Sequence, residues 1–280
     1  MEINGKEIAQ SIYAELKENV GELIMRGRTP HLVVILVGDN PSSIAYVNQK
    51  RKWAEFIGAD VIIEEYPEKT TQDFLEKRIE DLNQNASVHA ILVQIPLPRH
   101  LDADKLTPMV SPRKDIDGFH PESPFTPPLA SAVITVLEEI KKREGESKDI
   151  FSWLTSKRIV LLGKGKAGGM PVHNLLQKQG VEHTVIDSKS ENREEEMREA
   201  DIIISAVGKK QVVKADAIKD GVILIGVGIN LDEDKKLFGD YEVADIKEKA
   251  SYYTPTPGGV GPVNVASLLK NLIKAADSSI

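Results

Sequence analysis

The 280-residue chain contains no cysteine. Disulfides, thiolate nucleophiles and cysteine-based zinc sites are therefore excluded. Its six histidines (His31, His89, His100, His120, His173 and His183) show no ligand-type spacing, so they read as surface or core residues and no metal is expected. Positive charge is in short supply: 36 Lys and Arg stand against 43 Asp and Glu, a formal net charge of −7. Nucleic acids and anionic membranes select basic surfaces, so neither is an expected partner, although a local basic pocket is compatible. Long apolar runs are missing as well. The stretch Leu32 to Val37 is far too short to span a bilayer. The start Met1-Glu2-Ile3-Asn4 lacks the basic segment and apolar core of a secretory leader, which makes a cytoplasmic protein the expectation. No repeat of solenoid period and no low-complexity tract occurs.

Apolar residues make up 41% of the chain and charged residues 28%, an ordinary globular balance. The length suits two domains or one large α/β unit. Short apolar runs alternate with amphipathic stretches from end to end. Helices are expected at Lys6–Met25, Pro41–Ile57, after a Thr70-x-x-Asp73 capping box, at Ala130–Arg143 and at Val263–Ala276. Strands are expected at Leu32–Val37, Ala59–Tyr66, Val88–Ile95, Arg158–Leu162, His183–Ile186, Ile202–Ser205 and Val222–Ile225. Alternation of this kind predicts parallel, doubly wound α/β sheets.

Gly163-Lys164-Gly165-Lys166-Ala167-Gly168 follows one expected strand and opens a helix. That is the context in which G-x-G-x-x-G signals a dinucleotide. The glycines admit a pyrophosphate to the backbone, and the helix start supplies free N–H groups and a positive dipole. The next strand ends at Asp187, where a carboxylate can accept hydrogen bonds from a ribose 2′-hydroxyl and favours NAD. Ser188-Lys189-Ser190 pulls the other way, because hydroxyls and an ammonium suit a 2′-phosphate. Asp187 as a plain turn residue is equally compatible.

On a helix over Pro41–Ile57, the residues Trp53, Tyr46, Ile57, Lys50, Ala54 and Val47 share an arc of about 120°. Lys50 is the one charge in that arc. It either snorkels its amine to water or sits desolvated with a lowered pKa, ready to exchange protons. Moving a lysine from about 10.4 to about 7 requires roughly 4–5 kcal/mol against the ammonium. Tyr46, one turn earlier on the same face, can stack on a flat substrate. Gln94 interrupts an apolar run at the carboxyl end of a strand, the end that faces the ligand crevice in open α/β sheets. Its amide needs partners if buried. In Lys114-Asp-Ile-Asp-Gly-Phe119, two carboxylates precede a glycine turn. They make either an Asx-type turn or a receptor for paired N–H donors such as a pterin edge.

These segments resemble the methylenetetrahydrofolate dehydrogenase/methenyltetrahydrofolate cyclohydrolase family, of the bacterial bifunctional FolD type. The resemblance rests on Val34-Ile-Leu-Val-Gly-Asp-Asn-Pro-Ser-Ser43, Tyr46-Val-Asn-Gln-Lys50, Ile91-Leu-Val-Gln-Ile-Pro-Leu-Pro98, Lys114-Asp-Ile-Asp-Gly-Phe-His-Pro121, Gly226-Val-Gly-Ile-Asn230 and Pro257-Gly-Gly-Val-Gly-Pro262. They cover nearly the whole chain in family order. The resemblance implies an α/β catalytic domain and a Rossmann-like doubly wound dinucleotide-binding domain with a cleft between them. The folate-binding domain would be discontinuous, at 1–125 plus 262–280, and the NAD(P)-binding domain would occupy 126–261.

It implies oxidation of 5,10-methylenetetrahydrofolate by a nicotinamide dinucleotide, NADP or possibly NAD, then hydrolysis to 10-formyltetrahydrofolate without a metal. Lys50 corresponds to the catalytic lysine, Gln94 to the glutamine that positions it, Tyr46 to the stacking tyrosine and Asp117 to the pterin-gripping aspartate. Val93, Ile95 and the loop Pro257, Gly258, Gly259, Val260 and Gly261 fall among the folate contacts. Gly163, Lys164, Gly165, Gly168, Asp187, Ser188 and Ile229 fall at the dinucleotide site. A homodimer built through the dinucleotide domains is implied too.

The chain departs from the family pattern at several places. The usual Gly-Arg-Ser turn reads Gly163-Lys164-Gly165, which removes an arginine and a serine that favour a 2′-phosphate but keeps a cation. Pro-Cys-Thr-Pro is Pro124-Phe125-Thr126-Pro127, a usual glycine is Leu129, and the aspartate before Val-Gly-Ile-Asn is Gly226. A cyclohydrolase with weakened or lost dehydrogenase activity is one alternative. Another is an NAD(P)-dependent dehydrogenase of a different small substrate, and a third is a non-catalytic nucleotide or folate sensor.

Overall fold

The computed structural model describes residues 1–232, 234 and 236–278. In chain order the elements are α1 (Gly5–Met25), β1 (His31–Val37), α2 (Pro41–Ile57), β2 (Asp60–Tyr66), α3 (Gln72–Gln84), β3 (Ala90–Val93), α4 (Ala103–Leu106), α5 (Pro128–Arg143), α6 (Ile150–Leu154), β4 (Ile159–Leu162), α7 (Gly169–Lys178), β5 (Thr184–Ile186), α8 (Arg193–Glu199), β6 (Ile202–Ser205), β7 (Ile223–Gly226), β8 (Ile229–Leu231), β9 (Leu237–Gly239), α9 (Val243–Ile246), β10 (Tyr252–Tyr253) and α10 (Val260–Asp277). They form two compact units.

The lysine unit comprises Gln10–Pro128 and Val265–Ile280. Its sheet is parallel, in the order β2-β1-β3. The central strand β1 is almost wholly buried, as its unbroken apolar sequence requires. Asn40 caps α2 by accepting from Ser42 and Ser43 N–H at 3.0 and 3.1 Å, with Pro41 in the first turn. Gly58 ends α2 in a left-handed conformation at φ 91°, which a side chain would strain. The expected capping box is displaced by one residue. Thr71, not Thr70, is the N-cap, and its Oγ1 accepts from Phe74 N–H at 3.4 Å. Thr70 instead donates its hydroxyl to Pro67 O at 2.7 Å. Strand β3 is shorter at both ends than the expected Val88–Ile95, although Gln94 N–H still donates to Ile35 O at 2.9 Å just beyond it.

The glycine-turn unit comprises Met1–Ala9 and Leu129–Asn264. Its five-stranded sheet is parallel, in the order β10-β7-β6-β4-β5, with β8 and β9 as a separate antiparallel hairpin. Strand succession turns back at β4: β5 lies on one side and β6 on the other. This is the doubly wound reversal point, where ligands bind at strand carboxyl ends. Met1–Ile3 group here because Ile3 N–H donates to Tyr253 O at 2.9 Å and Tyr253 N–H to Met1 O at 3.1 Å. The boundary read from sequence kept all of 1–125 together. Ser279 and Ile280, the end of the 262–280 segment, lie outside the described residues.

Helix α10 starts at Val260, three residues before the sequence suggested. Pro262 sits in its first turn, where the missing N–H has no role in the helix ladder. Val260 and Gly261 are therefore helical, not loop. Further along, Asn271 is buried in the lysine unit and donates its amide to Ile116 O and Thr126 O, both at 3.0 Å. These bonds flank the glycine turn at Asp117. Replacing Asn271 with Ala leaves both carbonyls unsatisfied. The expected cost is about 1–3 kcal/mol, read as a lowered urea midpoint.

Candidate functional site

Lys50 lies on the buried stripe of α2, with Ser43, Val47, Ala54 and Ile57. The snorkelling alternative does not hold. Lys50 is 6% exposed, and its Nζ donates to Gln94 Oε1 at 3.1 Å. Gln94 is fixed at its other end, where Nε2 donates to Ile95 O at 2.6 Å. Its carbonyl oxygen is thereby aimed at the lysine. The Tyr46 ring centroid lies 5.3 Å from Nζ, within cation–π range. Val93 is buried, and Ile95 and Tyr46 are half-buried. Val93, Asp115, Asp117 and Phe119 line a narrow crevice between β3 and the turn.

Burial pushes the Lys50 amine below its usual range, and the charge of Asp117 partly restores it. Asp117 shows the mirror image: burial raises its carboxyl, and Lys50 opposes the rise. The two shifts run in opposite directions, and each group opposes the other's. The neighbouring Asp115 has a different task. It accepts from Gly118 N–H at 3.1 Å and His120 N–H at 2.6 Å, making the Asx-type turn that presents Asp117. Burial raises Asp115 to about 6 despite these bonds. Sequence reading passed over Ser43. Its hydroxyl is buried and has no hydrogen-bond partner among the described residues. Its spacing of seven from Lys50, two turns along one face, was the available signal.

In the glycine-turn unit, Gly163 follows β4, Asp187 follows β5 and Gly226 ends β7, all at carboxyl ends. Gly163 has φ 86°, and a Cβ there would lie 2.8 Å from Ala206 O. A Cβ on Gly165 would meet nothing within 4 Å, so that backbone is open to a ligand. Gly168 is the N-terminal flank of α7. The tightest of the glycines at this turn lies beyond the motif: a Cβ on Gly169 would fall 1.9 Å from Gly163 O. Lys164 Nζ and Asp187 Oδ2 form an ion pair at 2.7 Å. The Lys164 ammonium bonded to it holds the Asp187 carboxyl below its usual range. Asp187 also makes a local turn, accepting from Lys189 N–H at 2.9 Å. Ser188 and Ile229 are exposed.

Gly226, the departure noted above, has a steric account. A Cβ there would approach Tyr241 Oη to 3.0 Å. Tyr241 donates to Thr254 O at 2.7 Å, and Gly226 N–H donates to Thr254 Oγ1 at 2.8 Å. An aspartate would have to displace this buried network. At 257–261, Gly258 has φ 105°, and Gly259 O would be met at 1.7 Å by a Cβ on Gly5. Pro257 and Gly261 are exposed, whereas Val260 is buried. Among the described residues, no group of three or more His, Asp or Glu side chains is placed to hold a metal ion. No described helix is long and apolar enough to cross a membrane.

The fold and these geometries define a class: α/β proteins that carry a Rossmann-type glycine turn in one unit and a buried, proton-poised lysine in the other. The chain belongs to the tetrahydrofolate dehydrogenase/cyclohydrolase family. Residues 3–117 match its catalytic domain and residues 132–280 its NAD(P)-binding domain. A bifunctional protein FolD from Oceanobacillus iheyensis is 41% identical, with the match covering 98% of this chain and 96% of that protein. The crystal structure of the bifunctional methylenetetrahydrofolate dehydrogenase/cyclohydrolase from Campylobacter jejuni matches with a TM-score of 0.92 at 36% identity, over 100% of this chain and 99% of that one. The Trypanosoma brucei enzyme, solved with NADP cofactor and inhibitor, matches with a TM-score of 0.90 at 34% identity, over 100% and 98%.

The electrostatics give a direct expectation. The side-chain NMR titration of Lys50 has its midpoint below the ordinary lysine value of about 10.4. In Asp117→Asn the charge that favours the ammonium is gone, so the midpoint moves further down. A midpoint that stays in place or rises in the variant contradicts the coupling.

Proposed function

We propose that this chain oxidises 5,10-methylenetetrahydrofolate to 5,10-methenyltetrahydrofolate with NADP, NAD being the alternative acceptor, and then hydrolyses the product to 10-formyltetrahydrofolate. The observation that carries the proposal is Lys50, buried against Gln94 and electrostatically coupled to Asp117 in a member of this family. The folate unit corresponds to 1–125 plus 262–280 and the dinucleotide unit to 126–261.

Tyr46 stacks on the flat part of the folate. Asp117 accepts N–H donors from the pterin edge, while Val93 and Ile95 line the substrate; the family resemblance adds Pro257–Gly261 to the folate contacts. Ser43 offers its hydroxyl, unpartnered among the described residues. When bound, the nicotinamide dinucleotide takes the hydride of the methylene carbon. The residues present fit such a group: Gly163 and Gly169 leave no room for side chains, Gly165 leaves its backbone open, and Lys164 supplies a cation. Gly168, Ser188 and Ile229 complete the contacts. In hydrolysis, water adds to the electrophilic methenyl carbon. Neutral Lys50, oriented by Gln94, takes a proton from the water and returns one to the departing ring nitrogen. One water is consumed and one proton is released overall.

We also propose a cytoplasmic homodimer joined through the dinucleotide units, with no nucleic-acid or membrane partner. Sedimentation velocity tests the dimer.

Replacing Lys50 with Met is expected to lower methenyl hydrolysis by about 10²–10⁴-fold. A near wild-type rate sinks the assignment. The parent assay is absorbance-monitored oxidation of methylenetetrahydrofolate with NADP and NAD side by side. Inactivity with both, alongside methenyl hydrolysis, leaves a cyclohydrolase alone. Asp187→Asn frees Lys164 and removes a charge that repels a 2′-phosphate. It is expected to shift the NADP/NAD ratio of kcat/KM toward NADP by about tenfold. A shift toward NAD contradicts the role given to Asp187.

A further inference from the structure

Asp240 follows β9 and is 1% exposed. Its carboxylate accepts four hydrogen bonds. Oδ2 takes Ser205 Oγ at 2.6 Å and Val207 N–H at 2.9 Å; Oδ1 takes Gly208 N–H at 2.6 Å and Lys209 N–H at 3.0 Å. The donors are the last residue of β6 and three successive backbone amides beyond it. A run of amides turned inward on one point is a nest for an anion, and here the chain supplies the anion itself. The fit is tight on the far side too, because a Cβ on Gly228 would lie 2.3 Å from Asp240 Oδ2.

The loop held in this way sits at the reversal point of the sheet, since β6 is the neighbour of β4. Its Ala206 carbonyl is the atom that a Cβ on Gly163 would strike at 2.8 Å. Its Val207 side chain is 38% exposed, and Asn230 Nδ2 donates to Gly208 O at 3.3 Å, beside exposed Ile229. One buried carboxylate thus sets the floor against which the glycine turn packs. It also sets the placement of Val207 at the strand ends.

We propose that Asp240 is a positioning residue for dinucleotide binding: it locks the Ala206–Lys209 loop against the Gly163 turn so that the cofactor meets a preformed site. The inference rests on the dinucleotide reading above and extends it to a residue that touches no ligand. An amide cannot replace the carboxylate. Either orientation of Asn turns an NH₂ toward at least one backbone N–H and forfeits its hydrogen bond.

The test uses the full chain with Asp240→Asn, measuring NADP affinity by titration calorimetry, KM for NADP in the dehydrogenase assay, and dinucleotide-independent methenyl hydrolysis. Kd and KM for NADP are expected to rise by about tenfold, while hydrolysis changes by less than about twofold. Ser205→Ala removes one donor and keeps the charge. Its smaller loss in the same direction, about threefold, decides the matter if Asp240→Asn does not fold. Unchanged NADP affinity in the folded variant, or equal loss of both activities, overturns the proposal. If the parent chain binds neither NADP nor NAD, the dinucleotide reading itself fails and this inference falls with it.

Discussion

Burying an amine is the constraint on which the lysine unit is arranged. An ammonium removed from water must find compensation or give up its proton. Lys50 is given a neutral acceptor, Gln94 Oε1, and a carboxylate, Asp117, that acts through its field. A full ion pair would fix the charge and take the lysine out of proton chemistry. A purely apolar surround would keep it neutral at all working pH values. The arrangement falls between the two, which suits the proton exchange proposed for this lysine.

The cost of this balance explains features further out. Gln94 can aim its oxygen only because its amide is occupied by Ile95 O. Asp117 is presented by a turn that Asp115 organises through two backbone amides, and Asn271 ties down the carbonyls on either side. The lysine is set by a helix, the glutamine by a strand end and the aspartate by a braced turn. None depends on a mobile side chain to hold it in place.

Much of this was legible in the chain itself. The 3.6-residue period put Lys50 on an apolar face, and the interrupted apolar run marked Gln94. The periodicity could not choose between snorkelling and burial, because that depends on where the end of β3 and the turn at Asp117 come to lie around the lysine. Element limits shifted where local chemistry had two solutions, as at Thr70 and Thr71. Gly169 and Asp240 escaped notice for a different reason. A glycine beyond a completed motif and an acid in a loop carry no periodic signal, and their roles arise from contacts across the fold.

Those long-range contacts also show how a family pattern can be altered without losing its frame. At Gly226, where the resemblance led to the expectation of an aspartate, the Tyr241 hydroxyl lies close and bonds Thr254. Close packing couples the two positions: a Cβ at 226 would meet the Tyr241 hydroxyl at 3.0 Å, so the tyrosine would have to shift. Tyr241 is the residue after Asp240. The same short segment therefore closes β7 from one side and braces the loop beyond β6 from the other. Both strand ends face the dinucleotide crevice of this topology, so the floor of that crevice depends on a segment outside its glycine motif.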